Sequence, residues 1–174
     1  SQRSQWISEK LKRNSPLTSN TWLGLAQALY ANRTPSAEER SYTPAQAGQL
    51  IEPDRAADAY GYFTQYEDLA MLTEELLAYC FYGVQRDFAT SNRPASGDFV
   101  VGWGMRGRVG VSAVNQAARF AIAELLPGQN FSACYASLPA PVRLRGGATW
   151  TANLDPSGTG SSSSSTATAT ATAK

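Results

Sequence analysis

Histidine is absent from all 174 residues. That removes the commonest general base and the commonest zinc ligand, so neither a Ser-His-Asp nor a Cys-His arrangement can be assembled from this chain alone. Cysteine is almost absent: Cys80 and Cys134 are the only two, too few for a zinc cage without histidine. In an oxidising compartment they are a candidate disulfide pair, tying residues 60–82 to the later helical region. Otherwise they are two buried thiols behaving as small hydrophobes. No apolar run approaches the ~20 residues of a membrane helix. Excess charge is lacking as well, since Lys+Arg 15 against Asp+Glu 14, scattered along the chain, leaves no electrostatic footprint for nucleic acid. The chain opens Ser-Gln-Arg-Ser-Gln-Trp with neither an initiator Met nor an apolar leader, which reads as a processed or truncated start.

What is present is enough hydrophobic sequence, 43%, to bury a core, so one globular domain over residues 1–154 is expected. The stretch that organises it is residues 60–82. Leu69, Leu72, Leu76, Tyr79 and Cys80 recur at helical spacing and form one apolar stripe. Glu67, Met71, Glu74 and Ala78 fall on the opposite side, with Asp68 and Glu75 on a flank. Thr64 and Glu67 fit a capping box at the start, and Gly83 suits the end.

Other elements follow by pattern. A first helix is predicted over residues 4–13, with Trp6, Ile7 and Leu11 on one side and Ser15-Pro16 ending it. A second covers residues 21–31, its core face Trp22, Leu25, Leu29 and Tyr30. Residues 32–58, punctuated by Pro35, Pro44 and Pro53, read as an irregular excursion with a short helical turn at 44–50. Residues 99–105 read as a strand. Residues 112–126 read as a helix with Val114, Ala118, Ala121, Ile122 and Leu125 in register, stopped by Pro127-Gly128. Residues 131–137 give another turn or two of helix, and 142–144 with 148–151 form a candidate closing hairpin around Gly146-Gly147. Trp22, Leu72, Leu76, Ile122 and Leu125 are expected to share one core. Arg106-Gly107-Arg108-Val109-Gly110 lacks the Lys-Ser/Thr ending of a phosphate loop, and with Asp98 these arginines read as surface charges on a Gly-rich turn or as the lining of a groove.

From residue 155 the composition turns to Ser, Thr, Gly and Ala, ending in strict Thr/Ala alternation over residues 166–173. Such a tail or linker cannot by itself bury enough surface to offset its chain entropy. Its alternation suits a strand donated to a partner's sheet edge, with Thr166, Thr168, Thr170 and Thr172 along one face. A solvated or O-glycosylated stalk fits the composition equally.

Only one stretch offers chemistry. Tyr60-Gly61-Tyr62, leading into Tyr66-Glu67-Asp68-Leu69-Ala70-Met71-Leu72-Thr73-Glu74-Glu75, resembles the downstream helix of gluzincin-type HExxH zinc metallopeptidases. The resemblance implies that Glu67 is the third metal ligand and that Tyr60 or Tyr62 stabilises an oxyanion. HExxH is missing here, so two ligands and the general base are missing with it. Read without the resemblance, Glu67 only caps its helix or joins a solvated acidic face with Glu74 and Glu75.

The sequence therefore predicts a mainly α, single compact helical domain with a small β element and an extended Ser/Thr/Ala-rich C-terminal tail. It holds no catalytic constellation and no metal site of its own; Glu67 becomes a ligand only if an HExxH segment exists upstream. The expected function is a non-enzymatic structural or assembly component of an extracellular or cell-surface complex, with the tail mediating subunit contacts. Its partner is then a second copy or another subunit of the assembly, not nucleic acid, and no segment spans a membrane. The chain is secreted, periplasmic or on the cell surface, and no cofactor is implied. The alternative is a C-terminal fragment or catalytically degenerate relative of a secreted zinc metallopeptidase, for which the cofactor is zinc.

Overall fold

The computed structural model describes residues 6–92 and 97–154. Thr166, Thr168, Thr170 and Thr172, and with them the predicted strand donation, lie outside the described residues. The chain is mainly α with a small antiparallel sheet. Helices α1 (Ile7–Asn14), α2 (Asn20–Tyr30), α3 (Ala37–Ser41) and α4 (Pro44–Ile51) lead into the long α5 (Gln65–Tyr82). Strands β1 (Asp87–Asn92) and β2 (Val100–Arg106) precede α6 (Ser112–Leu125), α7 (Ser132–Ser137), β3 (Val142–Arg143) and α8 (Trp150–Leu154).

Local chemistry sets the helix starts. Ser36 and Glu39 close a capping box on α3; Thr43 and Gln46 close another on α4, whose first residue is Pro44. At α5 half the expected box is made, because the Thr64 hydroxyl accepts the Glu67 N–H at 3.2 Å. The Glu67 carboxylate lies instead beside the Tyr60 phenol, whose pKa it raises. Gly83, at φ 66°, ends α5, its N–H reaching the Tyr79 carbonyl at 2.8 Å.

The sheet runs β1-β2-β3. Phe88 sits opposite Met105 and Thr90 opposite Trp103, with a bulge after Thr90. Helix α4 lies on β2 so closely that a Cβ on Gly48 would stand 2.2 Å from the Cβ of Trp103, so only glycine fits there. The predicted closing hairpin is not formed. Both of its arms pair with β2 instead: Leu144 N–H bonds the Gly104 carbonyl, Val101 N–H the Ala148 carbonyl and Trp150 N–H the Phe99 carbonyl. The segment thus runs antiparallel along β2, which offered it an unpaired edge.

Buried side chains gather in two clusters rather than the one expected. Leu72 and Leu76 of α5 pack with Leu11 of α1 and with Val114, Ala118 and Ile122 of α6. Fully burying each leucine is worth about 1.5–3 kcal/mol. Trp22 belongs to the second cluster, with Ala26, Ile51, Tyr62, Trp103 and Met105. Leu125 is partly exposed at the end of α6, and Leu29 and Tyr30 are exposed on α2, where Trp22 and Ala26 make the buried face. The residues between the clusters come from the excursion, for Ala57 enters the first and Ala56 and Ala59 the second. Residues 54–59, at the end of the stretch read as an irregular excursion, are therefore a buried partition.

Candidate functional site

A loop inside a protein must find partners for its own backbone, or it pays the desolvation of every unmatched group. Here the charged residues supply them. Arg108 is 1% exposed, and its guanidinium donates to the carbonyls of Ile51, Asp54 and Ala56 at 2.9–3.1 Å. It also lies 5.5 Å from the Trp103 ring centroid. Burial pulls its pKa down, and the nearby phenol and carboxylates oppose that pull. The expectation that Arg108 is a surface charge is overturned. With the short turn Arg108–Gly110 aiming it inward, it is the internal donor that lets the loop be buried.

Asp54 works in the opposite sense. Its carboxylate accepts the N–H groups of Thr18 and Ser19 at the start of α2, its neighbour Arg55's N–H, and the Tyr62 hydroxyl, all at 2.8–2.9 Å. Burial raises its pKa, but these donors together outweigh burial and hold it below the usual value. Tyr62, buried and donating to Asp54, has its pKa raised by that burial and bond. Asp58 accepts from the Tyr60 and Gly61 N–H groups at 2.8 and 3.2 Å and pairs with Arg86.

Two carboxyl groups come in from α5. Asp68 pairs with Arg55 at 3.0 Å, both nearly sealed from solvent, and burial pushes its carboxyl up to about 6. Glu75 accepts the Val109 N–H at 2.8 Å, and burial pushes it up to about 7. Both were read on a flank of the helix and are in fact buried, at 3% and 2% exposure.

The remaining candidates scatter. Glu67 and Tyr60 come together at the opening of α5, where Tyr60's pKa is raised first by the Glu67 bond. Tyr62 is turned away to Asp54, so one tyrosine and not both faces Glu67. Asp98 lines no groove beside α5; it accepts the Phe99 and Thr151 N–H groups and so caps α8. Its pKa is lowered, first by its bond to the Thr151 side chain. Arg106 makes a two-point pair with Asp87 at 2.6 and 2.8 Å. Cys80 of α5 and Cys134 of α7 form a disulfide, 54 residues apart in sequence.

Zinc was implied for Glu67 alone, and the fit fails on the donor set. Among the described residues no three His, Cys, Asp or Glu side chains gather where a metal ion could be held. Asp54, Arg55, Asp58, Asp68 and Glu75 escaped sequence reasoning as a group. One signal was available: their intervening residues are Ala56, Ala57, Ala59 and Gly61, small enough to let backbone approach backbone and carry charges inward. No helix among the described residues is long and apolar enough to cross a membrane. No family model, curated protein or solved structure matches the chain.

Proposed function

We propose that this chain is a non-enzymatic assembly component of an extracellular or cell-surface complex. The observation that carries the reading is the aromatic end of α5. Phe81 is 62% and Tyr82 80% exposed, with Val84 beyond them at 55%. Phe131 stands edge-on to Phe81 at 6.0 Å and stacks on Tyr135 at 6.1 Å. Large adjoining rings left in water are what an interface core uses and what a surface without a partner avoids. The Cys80–Cys134 bond adjoins them, so the rings are presented on a braced support; a disulfide of this kind suits an oxidising compartment. By contrast Asp54, Asp58, Glu75 and Arg108 spend their hydrogen bonds on backbone groups, which is scaffold work.

Sedimentation velocity tests this. The full chain is expected to sediment as an oligomer, and the Phe81→Ser/Tyr82→Ser variant as a folded monomer. Deleting residues 157–174 separates the contribution of the tail. A wild-type chain that stays monomeric at every concentration, alone and with its secreted milieu, contradicts the reading.

A second reading rests on the placement of Tyr60 beside Glu67 at the opening of α5, which suits the metallopeptidase resemblance. On it, the chain is the C-terminal part of a zinc enzyme whose HExxH helix lies elsewhere in a longer protein. Zinc titrated into this chain alone is then not retained, whereas it is retained by a longer protein containing HExxH and is lost with Glu67→Gln.

A further inference from the structure

We propose that the cleft over Arg55 and Asp68 binds a small zwitterion with an apolar body, an aliphatic or aromatic α-amino acid being the simplest case. The cleft, of about 440 Å³, opens between the start of α2, the start of α5 and the segment leaving α1. Leu17, Leu23, Phe63 and Tyr66 form apolar walls, and Lys12 stands at the rim. Arg55 and Asp68, which also line it, are 7% and 3% exposed.

These two are half used: Arg108 also leaves one nitrogen, Nη1, without a partner, but among the described residues only here do unpartnered donors and an unpartnered acceptor line the same cleft. Arg55 spends Nη1 on Asp68 Oδ2, and its Nε and Nη2, with Asp68 Oδ1, have no hydrogen-bond partner among the described residues. Nε and Nη2 form one edge of the guanidinium, two parallel donors at the spacing of a carboxylate. Asp68 Oδ1, in the same cleft, is an acceptor fit for an ammonium group. A bare anion meets the Asp68 charge and a bare cation meets Arg55, so a ligand carrying both signs is selected over either. Burial holds the Asp68 carboxyl above its usual range, and a bound ammonium would favour its ionised form.

Gly61 packs directly against the Asp68 carboxylate, where a Cβ would stand 3.3 Å from Oδ1. The three unpartnered atoms are closed to solvent, so the proposal requires a side chain of the cleft wall to move aside as the head group enters. This inference stands apart from the assembly reading, which uses the other end of α5.

The test is NMR titration of the full chain with L-phenylalanine and L-leucine. Phenethylamine, lacking the carboxylate, and 3-phenylpropanoate, lacking the ammonium, are the controls. Saturable shifts at millimolar concentration in the amides of residues 61–68 are expected, with each control binding at least roughly tenfold more weakly. Gly61→Ala is expected to weaken binding by a similar factor while the circular dichroism is unchanged. If that variant fails to fold, Leu23→Glu, which alters only a half-exposed wall, carries the same test. No saturable shift with either amino acid overturns the proposal. So does a control that binds as well as its parent, or binding that survives both variants.

Discussion

The two sides of the molecule are equally dry and are held together differently. Around Leu72, Leu76 and Ile122, helix packs on helix, backbone polar groups are satisfied within each helix, and the contact between them is hydrocarbon. Around residues 54–62 the backbone satisfies itself only in part, and Asp54, Asp58 and Arg108 hold the rest by hydrogen bonds from side chains. The difference lies in tolerance. A helical core that loses a methyl group suffers in proportion to the cavity; a polar partition that loses one donor leaves several groups stranded.

Arg108→Ala should therefore be the most damaging single change. It strands the carbonyls of Asp54 and Ala56, leaves Ile51 with only the Asp54 N–H, and is expected to cost about 3–5 kcal/mol in urea unfolding. Arg108→Lys should recover little, because one ammonium cannot cover the same fan of carbonyls. Leu76→Ala on the other side should cost ~2–5 kcal/mol by the same measurement. A loss under ~0.5 kcal/mol would mean that the buried face of α5 is misassigned. Replacing Cys80 and Cys134 by serine should cost about 2–4 kcal/mol, read from thermal melts against the oxidised chain.

The polar side should also respond to pH in a direction the hydrocarbon side cannot. Glu75 keeps its proton in the folded chain up to about 7 and Asp68 up to about 6, against unfolded values of 4.5 and 3.8. Between those limits the folded state binds more protons than the unfolded one, so stability falls as pH rises from about 4 to about 7. Glu75→Gln should flatten the upper part of that slope, by about 1–3 kcal/mol. The smallest effect is expected at Glu67. Glu67→Gln should change stability by less than ~0.5 kcal/mol and leave the metal content of this chain unaltered. Stoichiometric zinc in the wild type, lost in the variant, would make Glu67 a ligand.

How much of this was legible follows the same division. The buried side of α5, with Leu72 and Leu76, and the register of Val114, Ala118 and Ile122 in α6 could be read from period alone, because one element buries one stripe. Strand β1 could not, since Asp87-Phe88-Ala89-Thr90-Ser91-Asn92 has little alternation and takes its order from β2. The partition was misread for a deeper reason. Pro35, Pro44, Pro53 and dense charge between 32 and 58 mark an irregular chain without saying whether it is buried, and nothing local reveals that Arg108, some fifty residues on, will supply the donors. Asp68 and Glu75 failed for the related reason that a helical wheel places a carboxylate by its angle, not by whether Arg55 or the Val109 N–H awaits it.

The claim that most needs a direct test is that residues 54–62 are a structural partition rather than a working surface loop. Native-state hydrogen exchange, followed by NMR, addresses it at the amides of Arg55, Tyr60 and Gly61, which donate to Asp54 and Asp58, and of Thr18 and Ser19 on Asp54. If the polar network holds the fold, these amides exchange only through the global opening that also releases the amides of Leu76 and Ile122. Exchange at the rate of an open surface loop, while the α5 and α6 amides remain protected, would contradict it.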